Sequence, residues 1–131
     1  MRLPRIRITL SVRGLMITVL LAYASALPAL RILGLDNTGV TDACLVHLTQ
    51  CPGLARLSLS GTAVTDGGMP VLASTPSLGE LSLGRTAITD AELAALAVAP
   101  GLRVLYIMGT GVSAKGAAAF RAARPKVVVY D

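Results

Sequence analysis

Aromatic side chains are nearly missing from this 131-residue chain, which has one Phe, three Tyr and no Trp. Any interior must therefore be filled by Leu, Val, Ile and Ala, which stack in regular rows more readily than bulky rings. Histidine occurs once, at His47, and cysteine twice, at Cys44 and Cys51. A four-ligand zinc site of the usual kind cannot be assembled from that set. The two thiols are seven residues apart in a segment that reads as one helix. That is about 10.5 Å along its axis at 1.5 Å per residue, beyond the reach of a disulfide. There is no GxSxG elbow, no GxxxxGK[ST] loop, no HExxH pair and no second histidine to serve a nucleophile. His47 is expected on the outer side of its helix, in contact with solvent.

Acidic residues are lacking at one end only. Arg2, Arg5, Arg7 and Arg13 precede residue 14 without an acidic neighbour, whereas residues 14–131 carry eight basic and seven acidic groups, net +1. A nucleic-acid binder gathers Lys and Arg on one face to displace phosphate counterions. The near-neutral body argues against nucleic acid as a partner, despite a net charge of +5 for the whole chain.

What is present is a repeat. Segments beginning at Leu30, Leu54, Leu78 and Leu102 lie twenty-four residues apart, and each sets out leucine, two variable residues, leucine, one variable residue, an aliphatic, then Thr and Val or Ile. The repeats run 30–53, 54–77, 78–101 and 102–126, with a closing strand at 127–131. A fixed period in the twenties marks a solenoid whose units bury their apolar faces only by stacking. Alternation places Leu30, Leu33, Leu35, Thr38 and Val40 inward, with Ile32, Gly34 and Asp36 outward. The same holds for Leu54, Leu57, Leu59, Thr62 and Val64, for Leu78, Leu81, Leu83, Thr86 and Ile88, and for Leu102, Leu105, Ile107, Thr110 and Val112. Threonine hydroxyls inside such a stack need partners, and the adjacent turn backbone is expected to supply them. Thr41-Asp42, Thr65-Asp66 and Thr89-Asp90 precede apolar residues at helical spacing. They read as helix N-caps, with Thr89 and Glu92 at capping-box spacing. Three copies in one register favour capping over a catalytic carboxylate, which a protein needs once. Pro52, Pro76, Pro100 and Pro125 close the helices.

Residues 1–29 do not match the repeats. A basic start leads into an uncharged run from Gly14 to Leu30, with small residues at Ala22, Ala24 and Ala26. This is the order of a secretory signal. The run also reaches the lower limit for a bilayer anchor, with the arginines held inside. Export or membrane attachment through residues 14–30 is the expectation. The alternative is a soluble cap in which a helix such as Val12–Ala26 covers the first repeat and Ile6 and Ile8 imitate a repeat strand, leaving the protein in the cytoplasm.

The pattern LxxLxLxxT followed by V/I-T-D resembles the leucine-rich repeat family, and is most similar to its cysteine-containing branch and that branch's bacterial relatives. Thr38, Thr62, Thr86 and Thr110 stand where that branch has Cys or Asn. The match covers residues 30–131 and weakens in the fourth repeat, where Ser113-Ala114 replaces Thr-Asp. The resemblance implies an α/β solenoid, a right-handed β-α superhelix with a parallel sheet on the concave face and helices on the convex face. It also implies protein–protein recognition without catalysis, cofactor or metal.

Two features bear on function. Outward strand positions build a sheet face with rows Ile32, Arg56, Glu80, Val104, then Gly34, Ser58, Ser82, Tyr106, then Asp36, Ser60, Gly84, Met108. Arg56 and Glu80 should pair there and belong to the expected partner-binding face, on which Arg103, Tyr106 and Met108 come together beside Arg85 as a docking site for a protein or peptide. The second feature imitates a dinucleotide-binding fingerprint: a strand, Gly109-Thr110-Gly111 and Ala114, an alanine-rich helix, then a strand ending at Asp131. Thr110 falls on the repeat register, which ranks a nucleotide site third. Ahead of it stand a binding scaffold and, as the runner-up, a truncated or satellite repeat fragment with a structural role.

Overall fold

The computed structural model describes residues 6–9 and 30–131. Six strands form one parallel sheet in sequence order: β1 Ile6–Thr9, β2 Leu30–Gly34, β3 Arg56–Ser58, β4 Glu80–Ser82, β5 Val104–Tyr106 and β6 Val128–Tyr130. From β2 onward the register is the sequence period itself, with Ile32 opposite Arg56, Arg56 opposite Glu80, Glu80 opposite Val104 and Val104 opposite Val128. The ladder runs on past the strands. Leu35, Leu59, Leu83 and Ile107 donate their N–H groups to Ser58, Ser82, Tyr106 and Tyr130 carbonyls at 2.8–2.9 Å.

The inward positions read from alternation form the core. The leucines of all four strands are buried, as are Val40, Val64 and Ile88. Thr110 and Val112 are half-buried. Each ladder threonine donates its hydroxyl three residues back: Thr38 to Leu35, Thr62 to Leu59, Thr86 to Leu83 and Thr110 to Ile107, at 2.6–2.7 Å. Among the described residues, no buried side-chain polar atom lacks a partner.

The return segments differ from the expected helices. Asp42–Gln50 is a 3-10 helix; Asp66–Gly68 is 3-10 and runs into α1, Met69–Ala73. α2, Asp90–Leu93, passes into a 3-10 segment at Ala94–Val98. Only α3, Ala114–Ala123, is a longer α-helix. A 3-10 turn rises about 2.0 Å per residue against 1.5 Å for an α-turn, so a short unit spans the back of the solenoid with fewer residues. Cys44 and Cys51 are both buried in this layer.

The Thr-Asp pairs do more than cap. Thr65 and Thr89 accept from the N–H of Gly67 and Ala91, whereas Thr41 makes no side-chain cap and instead meets the Cys44 sulfur. The aspartates reach across to the next unit. Asp66 Oδ1 accepts the Thr89 N–H at 2.8 Å and Oδ2 the Thr89 hydroxyl at 2.6 Å. Asp42 grips Thr65 in the same way, and Asp90 grips Ser113. The expected capping box at Thr89 therefore does not form: its N–H, which Glu92 would take, already belongs to Asp66. Ser113 binds Asp90 as a threonine would, but Ala114 offers no carboxylate to a further unit. Gly116 is required beside this clamp, since a Cβ there would lie 2.1 Å from Asp90 Oδ1.

Ahead of β2 the structure adds a strand that the repeat pattern starting at Leu30 does not include. β1 enters the sheet with Ile6 opposite Leu30, then shifts register so that Arg7 faces Ile32 and Thr9 faces Gly34. The expected signal run, anchor and capping helix fall on residues 10–29, outside the described residues. Among the described residues no helix is long and apolar enough to cross a membrane.

Candidate functional site

The helical returns leave one sheet face uncovered, and its chemistry changes along the stack. Over β2 to β4 it is polar, and its groups bind each other. Arg56 Nε meets Glu80 Oε2 at 2.9 Å, the expected ion pair, with both side chains partly solvated. Such a pair contributes under about 1 kcal/mol. Asp36 Oδ1 accepts from the Ser58 hydroxyl and the Ser60 N–H, and the Ser60 and Ser82 hydroxyls bond to each other at 2.7 Å.

Over β5 and β6 the face becomes apolar. The Tyr106 and Tyr130 rings stack with centroids 4.9 Å apart and planes at 10°. Met108 and Val128 stand beside them, and Met108, Val128 and Tyr130 are about half exposed, at 51%, 50% and 48%. Tyr130 and Val128 are absent from the residues expected at this site, although the period carries Tyr106 onto Tyr130 and Val104 onto Val128. Extending each row by one more unit would have found them.

The other expected residues flank this patch at its two ends. Arg85 donates its backbone N–H to the Met108 carbonyl at 2.8 Å. Its guanidinium reaches across Gly61 to Asn37 Oδ1 at 3.5 Å. Arg85 also has φ +55°, at the turn position shared with Asn37, Gly61 and Gly109. Left-handed backbone costs a side-chain-bearing residue roughly 1–2 kcal/mol. At Gly61, φ +69°, an added Cβ would fall 2.3 Å from Asn37 Oδ1 and displace that amide from the Arg85 guanidinium. Arg103 lies at the opposite end of β5. It is three residues before Tyr106, about 10 Å along the strand, with its guanidinium against Gly79. Tyr106 and Met108 thus share the patch, Arg85 is tied to Met108 through its backbone while its guanidinium turns toward the first repeat, and Arg103 stands at the other end of β5.

The outer edge of β6 is guarded. Arg121 Nη2 donates to the Val129 carbonyl at 2.9 Å and to Asp131 Oδ1 at 2.7 Å. The Arg121 bonds hold the Asp131 carboxyl below the ordinary range, with the charge attraction adding to them. Just past α3, Arg124 donates to the carbonyls of Ala97 and Ala99, tying the fourth repeat to the third, and to that of Leu102 within its own repeat.

The nucleotide-like turn has its amides committed elsewhere. Gly111 N–H goes to the Ile88 carbonyl, Val112 N–H to the Thr110 hydroxyl and Ser113 N–H to Asp90. β5, α3 and β6 do form a strand–helix–strand unit, but the donors that would cradle a pyrophosphate serve repeat stacking, and Asp131 is held by Arg121. On the back, His47 is half-buried, and burial pushes the Cys51 thiol up, away from thiolate reactivity. Among the described residues, no three His, Cys, Asp or Glu side chains converge as a metal site would require.

No protein-family model matches the sequence, and no curated protein matches it. Solved structures do. A leucine-rich-repeat protein of Leptospira interrogans superposes with a TM-score of 0.59 at 20% identity over 84% of this chain. An internalin of Listeria monocytogenes superposes with a TM-score of 0.55 at 15% identity, again over 84%. This chain spans 33% and 37% of the length of those two proteins. Parallel strands in one repeat register, a threonine ladder and a shared backbone course give the chain the fold of leucine-rich-repeat proteins.

Proposed function

We propose that the protein is a non-catalytic scaffold that binds another protein or a peptide on the sheet face of its fourth repeat. The stacked, solvent-facing Tyr106–Tyr130 pair carries this reading. Two rings beside Met108 and Val128 form a contiguous apolar area in an otherwise polar face, and Tyr and Arg dominate binding hot spots. Arg85, Arg103, Tyr106 and Met108 belong to the site, joined by Tyr130 and Val128, while Arg56 and Glu80 form its polar border. The test places a photo-crosslinking residue at position 106 and, separately, at Ala118 on the back of α3. A partner captured from 106 and not from 118 supports the reading; equal capture from both contradicts it.

The clamp chemistry bears on the runner-up, a fragment docked end to end on a longer solenoid. Ala114 lacks the carboxylate and Arg121 occupies the edge carbonyl, so the β6 end is poorly suited to accept another unit. For the first twenty-nine residues, cleavage after Ala24 or Ala26 would strip β1 from the sheet. The pairing of β1 with β2 supports retention of the segment as a cap over export with cleavage. Sequencing the amino terminus of the mature protein decides between them.

A further inference from the structure

The near-neutral repeat body conceals a polarity. Residues 30–101 hold three basic and six acidic side chains, net −3, whereas residues 102–131 hold five basic and one acidic, net +4. Acidic groups near the apolar patch are already engaged: Glu80 by Arg56, Asp36 by Ser58 and Ser60, Asp131 by Arg121. The cations at its two ends are not matched in this way. Arg85 has a long bond to the neutral Asn37 amide, and among the described residues Arg103 has no carboxylate within ion-pair distance. Arg85 is also held in left-handed backbone where two sibling positions are glycine. A strained side chain kept at an exposed position is a pointer to function.

We propose that the sheet face takes an acidic segment of a protein partner that lies across its repeats, with an apolar side chain on the Tyr106–Tyr130 stack of the fourth repeat and carboxylates at Arg103 and at the Arg85 guanidinium, which reaches back toward Asn37. This deepens, and rests on, the sheet-face reading above. The Arg85 backbone is bonded to Met108, five residues beyond Arg103 or roughly 16 Å along the strand direction at about 3.3 Å per residue, and its side chain then crosses the sheet toward Asn37. An extended peptide can address both only with acidic residues an even number of positions apart, since alternate side chains point to opposite faces. The guanidinium fork suits a carboxylate. Asp36, whose partners are a neutral hydroxyl and an amide, keeps its charge and disfavours an acidic segment shifted onto the first repeat.

The experiment is selection of a random-peptide library against the immobilised full chain, followed by fluorescence anisotropy on the enriched peptides. The expected result is enrichment of peptides with paired Asp or Glu around an apolar residue. Their affinity should fall about tenfold between roughly 0.05 M and 0.5 M salt, and about tenfold in an Arg85→Asn, Arg103→Gln variant. Enriched peptides that are neutral or basic, yet lose binding in a Tyr106→Ser, Tyr130→Ser variant, overturn the acidic class while leaving the surface standing. Peptides indifferent to the tyrosine variant overturn both readings. An oligonucleotide competing as well as the peptide shows generic polyanion binding and also refutes the proposal. Unchanged far-ultraviolet circular dichroism in each variant guards against misfolding.

Discussion

Replacing Asp66 with Ala removes both acceptors that hold Thr89 to the preceding repeat. Each bond joins a charged acceptor to a neutral donor, and such a bond contributes about 1.5–3 kcal/mol when shielded from water. Thr89 is exposed and Asp66 half-buried, so water recovers part of the loss, and the expected cost is about 1–2 kcal/mol in total. For a domain of this size that lowers the melting temperature by roughly 5–10 °C. The clamp joins the second repeat to the third, so its loss should also uncouple the two halves of the stack and reduce the urea m-value. Urea titration followed by circular dichroism at 222 nm suits a chain without tryptophan. Glu92→Ala is the control: if Asp66 and not Glu92 organises Thr89, it stays within about 0.5 kcal/mol of the parent. Equal costs for the two variants, or an Asp66→Ala protein as stable as the parent, would refute the inter-repeat clamp.

Thr62→Val should cost about 1–2 kcal/mol, because the Leu59 carbonyl keeps its burial and loses its donor; denaturant midpoints measure this, and a neutral result contradicts the threonine ladder. Arg85→Gly should raise stability by about 0.5–1 kcal/mol, as relief of left-handed strain outweighs the greater freedom of unfolded glycine; a fall in midpoint would show that its reach to Asn37 matters more. The Ser113 hydroxyl, then its N–H, hold the Asp90 carboxyl below the ordinary range, and Arg121 does the same to Asp131. Lowered folded values mean that this stabilisation is complete above the unfolded Asp value near 3.9 and is lost as pH falls through the folded values. Melting temperature should therefore hold down to about pH 5 and decline below about pH 4, with Asp131→Asn losing part of that decline; a loss starting near neutral pH would contradict the assignment.

Strand positions, core leucines and the threonine partners were all legible because each depends on neighbours in the same unit or exactly one period away. The clamps were not. An aspartate that holds a threonine of the next repeat leaves the same trace in sequence as one that caps its own helix. The mixed 3-10 and α returns were also hidden, since Leu45 and Leu48, or Leu93 and Leu96, satisfy either period over so few residues. Tyr130 was within reach, one unit beyond Tyr106, but it fell in the closing strand rather than in a full repeat. Charge summed over the repeats cancelled, which concealed the contrast between Asp- and Glu-rich units and the Arg- and Lys-rich end. β1 was foreshadowed only by the alternation of Ile6 and Ile8.

Stacking in a single register is tested most directly by interstrand nuclear Overhauser contacts in isotopically labelled protein. The structure predicts one parallel ladder, with backbone contacts from Leu33 to Leu57, Leu57 to Leu81, Leu81 to Leu105 and Leu105 to Val129. Contacts displaced from that register, or an antiparallel pattern between any two of these strands, would contradict it.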